Sequence, residues 1–96
     1  MKFEDILFNE TTMPKGVQAL MKFADFELSI IKNEMSYGGK SGLYEIAVYS
    51  ETHNNQIEMP GITEEGDTVK GFLTEQEVLA IIKKMYLITG VEPTKH

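Results

Sequence analysis

The residues best suited to chemistry lie in a glycine-rich segment, residues 37–42, with the sequence Tyr-Gly-Gly-Lys-Ser-Gly. Gly-Lys-Ser also ends the phosphate-binding P-loop, but a P-loop needs an earlier glycine, where this chain has Glu34, and a following helix, where alternation predicts a strand. We therefore interpret the segment as a flexible hairpin connection. Its backbone N–H groups could still hold a small anion or a loop of a partner. The candidate binding residues in this segment are Tyr37, Gly38, Gly39 and Lys40.

A second candidate surface is acidic. Residues 58–77 contain six carboxylates and a single lysine. Glu64, Glu65 and Asp67 resemble part of a calcium loop, but an EF-hand needs alternating oxygen ligands, a mid-loop glycine and a terminal glutamate between two helices. We expect a solvated loop, and we add these three carboxylates to the candidate partner-binding residues.

The sequence offers little for catalysis or metal binding. His53 falls in a predicted turn, residues 51–55, and no spacing places a nucleophile or a carboxylate beside it. With no cysteine and only two histidines, a disulfide scaffold, a zinc ribbon and a thiol nucleophile are excluded. We predict no catalytic residue, no metal and no cofactor.

Composition narrows the class of partner. A chain of 96 residues with 42% hydrophobic residues predicts one small globular domain, whose limited core favours a homodimer. The formal charge is -6 and all nine basic residues are lysine, so we expect no direct nucleic-acid binding. No apolar run approaches the roughly 20 residues needed to cross a bilayer, and no signal peptide is recognisable, so we expect a cytoplasmic protein without a membrane partner.

Hydrophobic alternation predicts the strands that must position these residues. It predicts strands over residues 26–32, 43–50 and 56–59, and over 17–23, where a helix also fits. Residues 69–73 return apolar side chains to the core. Residues 1–9 suggest a short helix, and residues 9–16 read as a connection.

The final helix has the clearest local signal. Thr74 and Glu77 have the spacing of a capping box, and Gly90 provides a left-handed stop. An apolar stripe between them predicts a face that packs on the sheet; it comprises Val78, Ile81, Ile82, Met85 and Ile88. We predict an α+β fold in which a mainly antiparallel sheet of about four strands is covered on one face by this C-terminal amphipathic helix, with a frayed tail at residues 91–96.

Several of these segments together resemble a known family. The chain is similar to a family of small uncharacterised proteins encoded by bacteriophages and prophages. The similar segments are Ser36-Tyr37-Gly38-Gly39, residues 42–48, 67–69 and 71–74, and Glu77-Val78. The resemblance spans roughly residues 26–84. It implies an intracellular protein made during infection, and it carries no accepted activity or catalytic residues.

Three hypotheses for function follow. The first is a phage-type accessory protein that binds a host or phage protein and inhibits or redirects it, as an anti-defence factor would. The second is a binder that sequesters a nucleotide or signalling metabolite, at a dimer interface where two glycine-rich loops meet. The third is a minor enzyme centred on His53.

Overall fold

The computed structural model describes residues 1–52 and 55–95, and it contains one antiparallel sheet and one α-helix. The elements, in chain order, are β1 (Asn9–Thr12), β2 (Lys15–Phe23), β3 (Phe26–Asn33), β4 (Tyr44–Ser50), β5 (Asn55–Ile57), β6 (Val69–Leu73), α1 (Glu75–Thr89) and β7 (Thr94–Lys95). The predicted α+β class with an antiparallel sheet is confirmed.

The three long strands β2, β3 and β4 form the centre of the sheet and owe their pairing to alternating apolar residues. Met21 lies opposite Leu28, which lies opposite Val48 on the next strand. All three side chains are buried on the same face, because residues paired across an antiparallel ladder point to the same side. Residues 17–23 are therefore a strand and not a helix.

Each outer edge of this central sheet is covered by two short strands placed end to end. β1 and β7 both pair with β2, and β5 and β6 both pair with β4. The described residues thus form seven strands, so the expected count of about four was too low. β1 (Asn-Glu-Thr-Thr) and the two-residue β7 carry no apolar alternation; backbone pairing with an existing edge defines them.

The two ends of the chain also differ from expectation. In place of a helix over residues 1–9 there is one 3-10 turn, Phe3–Asp5, followed by buried Ile6. Residues 9–16, expected as a connection, contain β1. In the tail, expected to fray over 91–96, Thr94 and Lys95 pair with β2; His96 lies outside the described residues.

α1 begins and ends where its sequence indicates. Glu77 N donates to Thr74 Oγ1 (3.2 Å), Thr74 N donates to Glu77 Oε1 (3.0 Å), and Gly90 is left-handed. Four residues of the predicted stripe join the core cluster with the sheet; they are Val78, Ile81, Ile82 and Met85. Ile88, the fifth residue of the predicted stripe, is 53% exposed and lies outside the core cluster.

Candidate functional site

The glycine-rich loop, residues 34–43, connects β3 to β4 and is folded by its own hydrogen bonds. Gly38 is left-handed, and its carbonyl accepts from Ser41 N (3.0 Å) and Leu43 N (2.9 Å). Gly39 N and Gly42 N donate to carbonyls within the loop, each at 3.0 Å. Four N–H groups of the loop are therefore engaged inside it and are not available to a bound anion.

Tyr37 attaches this loop to β6. Its carbonyl accepts from Phe72 N (3.1 Å), and its N–H donates to Glu45 Oε1 (2.7 Å) on β4. A Cβ at Gly71 would collide with Tyr37 Cβ, so only glycine allows the loop to approach β6 this closely. The register between β4 and β6 is shifted here, and Phe72 has a φ of +57°, as at a β-bulge that redirects a side chain.

The acidic loop, residues 58–68, reaches the same strand. Glu64 N donates to Val69 O on β6 (3.1 Å), and Asp67 N donates to Glu64 O (2.9 Å). Glu58 Oε2 accepts from Gly66 N (2.7 Å) and ties the loop across its width. These bonds hold Glu64 and Asp67 beside β6.

The two loops and β6 enclose a surface cleft of about 300 Å³. We call it the Tyr37–Phe72 cleft; its lining residues are Tyr37, Glu64, Asp67, Val69, Gly71 and Phe72. The side chain of Tyr37 is 59% exposed and that of Phe72 is 63% exposed. The cleft therefore combines two accessible aromatic rings with two carboxylates.

The structure brings together some of the sequence-predicted residues and separates others. Of the seven, Tyr37, Glu64 and Asp67 line the cleft, and Gly38 packs behind it, where an added Cβ would lie 2.9 Å from Phe72 Cα. Gly39 and Lys40 lie in the 3-10 turn Gly39–Ser41 and do not line the cleft. Glu65 lines a different depression, of about 410 Å³, with Glu58 and Pro60.

Phe72 is the aromatic residue that sequence reasoning missed. Phe72 and Leu73 are adjacent in one strand, and successive strand residues point to opposite faces, so both cannot enter the core. Leu73 is buried and Phe72 is exposed. That adjacency was the available signal that one of the two side chains would be exposed.

Metal binding or catalysis would require a second kind of site among the described residues, a group of converging polar side chains. Within residues 1–52 and 55–95, no group of three or more His, Asp or Glu side chains is placed to hold a metal ion. The buried side-chain nitrogen and oxygen atoms of those residues all have hydrogen-bond partners. His53, the candidate base, lies outside the described residues.

Two surface side chains have shifted pKa values, Lys22 and Glu77. The hydrogen bond to Glu51 raises the pKa of Lys22. Hydrogen bonds from the backbone and hydroxyl of Thr74 lower the pKa of Glu77. Each shift reflects a local surface contact, of an ion pair in one case and of a helix cap in the other.

Over the described part of the chain, no helix has the length and apolarity that a transmembrane span requires. Comparison with known proteins found no matching family model, no similar curated protein and no similar solved structure. The resemblance to phage-encoded proteins therefore stays a prediction.

Proposed function

We propose that this protein is a small, non-catalytic binding protein that recognises a basic segment of a protein partner at the Tyr37–Phe72 cleft. One observation carries the proposal: two exposed aromatic side chains and two carboxylates surround the same cleft. Protein interfaces concentrate their binding energy in aromatic anchors surrounded by a polar rim.

The aromatic rings supply the affinity. Tyr37 and Phe72 are held by backbone hydrogen bonds and by the Gly71 contact, so little conformational freedom of the backbone is left to lose on binding. Covering an exposed aromatic ring contributes about 2 kcal/mol. Two such rings are enough to anchor an apolar side chain of the partner in the cleft.

The carboxylates select the charge of the partner. Glu64 and Asp67 flank the cleft on a chain whose formal charge is -6. Such a surface attracts lysine and arginine side chains and repels acidic ones, and it raises the association rate more than the final affinity. Binding is therefore expected to weaken as salt is added.

The resemblance to phage-encoded proteins indicates where the partner comes from. It makes a host or phage protein in the cytoplasm of an infected bacterium the proposed target, with inhibition or redirection of that protein as the outcome. This assignment depends on the resemblance alone and is separate from the cleft chemistry.

The experiment is a capture from bacterial lysate followed by titration of the isolated partner in a calorimeter. We expect Phe72→Ala to raise the Kd by about 30-fold, the equivalent of about 2 kcal/mol. Tyr49→Ala is the matched control, because Tyr49 is a partly exposed aromatic residue on β4 that does not line the cleft. An equal loss in both variants, or capture of no stoichiometric partner, would count against the proposal.

Charge reversal at two neighbouring residues separates a cleft from a general electrostatic attraction. Glu64→Lys and Glu65→Lys change the net charge equally, but only Glu64 lines the cleft. We expect Glu64→Lys to slow association several-fold more than Glu65→Lys does. Equal slowing would mean that the partner senses only the net charge of the protein.

The alternative function, sequestration of a nucleotide or signalling metabolite, has less support. An anionic ligand would need donors, and four N–H groups of the glycine-rich loop are already engaged. A nucleotide panel in a thermal-shift assay tests it, because a ligand that binds the folded state raises the melting temperature. A rise that disappears in Tyr37→Ala would replace the protein partner with that ligand.

A further inference from the structure

The two carboxylates of the Tyr37–Phe72 cleft have no cation of this chain beside them. In the part of the chain that the structure describes, no lysine lies within ion-pair distance of Glu64 or Asp67. Lys70 is on the same strand as two of the lining residues, but it is paired with buried Ile46, so its side chain points to the opposite face. A cation beside these carboxylates therefore has to come from another molecule.

The same cleft also offers two aromatic rings. Tyr37 and Phe72 are exposed, and neither ring packs against another aromatic ring of the described residues. The face of an aromatic ring attracts a cation that comes within about 6 Å of its centre. This chain makes such a contact elsewhere, where Lys32 Nζ lies 4.9 Å from the centre of the Tyr44 ring. Four groups that each favour a positive charge therefore surround one cleft.

The size of the cleft limits what enters it. Its volume of about 300 Å³ is at the lower end of the range found for small-molecule sites. It suits one long side chain of a partner, and it is too small for a helix or a strand. The neighbouring depression beside Glu65 is larger, at about 410 Å³, but no aromatic residue lines it.

The two carboxylates differ in the hydrogen bonds that they already accept. Asp67 Oδ1 accepts from Thr68 N at 2.7 Å. No donor from the described residues reaches the carboxylate of Glu64. Both oxygens of Glu64 are therefore available to a donor that can bind them together, which is the contact that a guanidinium group makes with a carboxylate.

The aromatic rings also favour a guanidinium over an ammonium group. A guanidinium is planar and weakly hydrated, so it stacks on a ring while the N–H groups at its edge donate to a carboxylate. An ammonium group is compact and strongly hydrated, and in an open surface cleft it keeps its water. The methylene stem of arginine also gives the rings apolar surface to cover.

We propose that the Tyr37–Phe72 cleft is a pocket for one arginine side chain of the partner, whose guanidinium stacks on an exposed ring and donates to Glu64. The inference rests on the proposed function, since it names the residue of the basic segment that the cleft recognises. Glu64 selects the guanidinium, and the two rings hold it.

A titration with blocked tripeptides, followed by the backbone amide signals of the isotope-labelled protein in NMR at constant ionic strength, tests the pocket. The probe is acetyl-Gly-Arg-Gly-amide. We expect the amide signals of Gly71 and Phe72 to shift and to saturate with a Kd in the millimolar range. The lysine peptide should bind about five-fold more weakly, and the uncharged citrulline peptide about ten-fold more weakly.

Three variants identify the groups that bind the arginine peptide. Glu64→Gln keeps the shape of the side chain but removes its charge, and it should raise the Kd by about ten-fold. Glu65→Gln is the matched control, because Glu65 does not line the cleft, and it should leave the Kd unchanged. Phe72→Leu keeps an apolar side chain but removes the ring, so the preference for arginine over lysine should shrink. The amide spectrum of each variant shows that it remains folded.

The possible outcomes separate this inference from the proposed function. Equal Kd values for the arginine, lysine and leucine peptides would overturn the arginine pocket and leave the cleft as a binding site. Shifts only at amides away from the cleft, or no shifts with the arginine peptide, would also overturn it. The proposed function fails on a different result, namely when Phe72→Ala and Tyr49→Ala have equal effects on the Kd of the captured partner.

Discussion

The sheet meets two different neighbours, and they are held to it by different forces. On its apolar face, α1 is held by four buried side chains of the core cluster. At its β6 edge, the glycine-rich loop is held by backbone hydrogen bonds of Tyr37 and by the absence of a side chain at Gly71. Apolar area stabilises the first contact, whereas close backbone approach defines the second.

The difference bears on where function resides. A contact made by apolar area tolerates changes of shape if volume is conserved, and it fixes the fold. A contact made by backbone leaves its side chains free, so Tyr37 and Phe72 remain exposed, as the proposed binding function requires. The edge of the sheet is therefore the place where the surface can vary without loss of the core.

The largest effect on the free energy of unfolding is expected where α1 packs on the sheet. Met85 is fully buried beneath the helix, and Met85→Ala should lower the free energy of unfolding by about 2–5 kcal/mol, from lost transfer energy and a residual cavity. Urea unfolding followed by circular dichroism measures it. Lys83→Ala, at an exposed position of the same helix, should stay within about 0.5 kcal/mol; a similar loss in both would show that the core does not depend on α1 as described.

The second largest effect on the free energy of unfolding is expected at the β6 edge. Gly71→Ala places a Cβ against Tyr37 Cβ, and the displacement should cost about 1–3 kcal/mol. Tyr37→Gly removes the colliding atom, so the double variant should be more stable than the sum of the two single changes predicts. Strict additivity in urea unfolding would contradict the close approach of the two segments.

A smaller effect is expected at the start of α1. Thr74→Ala removes the hydroxyl that accepts from Glu77 N, and loss of such a cap costs about 1 kcal/mol. Thr74→Ser keeps the hydroxyl and serves as the control. Equal melting temperatures for Thr74→Ala and wild type would show that the cap does not contribute to stability.

The smallest effect is a pH dependence from the same cap. Hydrogen bonds from Thr74 lower the pKa of Glu77 below its ordinary 4.5. A carboxyl with a lowered folded-state pKa stabilises the fold above its unfolded pKa, and that contribution is lost as the pH falls through the folded pKa. Melting temperatures measured from neutral pH downward should therefore converge for wild type and Glu77→Gln below about pH 4.5. A constant gap across that range would exclude Glu77 as the source.

Sequence patterns were sufficient to predict the elements whose structure is determined by their side chains. They were insufficient to predict the elements that are determined by backbone pairing. β2, β3, β4 and α1 follow from apolar periodicity and the capping box. β1 and β7 do not, because Asn-Glu-Thr-Thr and a two-residue segment carry no periodic signal and depend on a neighbour already in place.

The candidate site shows the same division. The sequence singled out Tyr37, Glu64 and Asp67 by type, but their convergence depends on two hydrogen bonds to β6. One comes from the glycine-rich loop, which is distant in sequence, and the other from the acidic loop that directly precedes β6. Lys40 and Glu65 were predicted as binding residues on the same grounds, and yet they do not line the cleft. Local composition cannot distinguish them from their neighbours, because the turn geometry decides which way each side chain points.

The two short strands at each edge of the sheet affect how readily the protein can aggregate in a concentrated solution. A long, straight, unpaired strand is a template on which another chain can stack and start a fibril. Here β2 and β4 offer no such template, since β1 with β7 and β5 with β6 interrupt each border after a few residues. The molecule can thus expose apolar groups such as Phe72 while its sheet edges discourage amyloid-like growth.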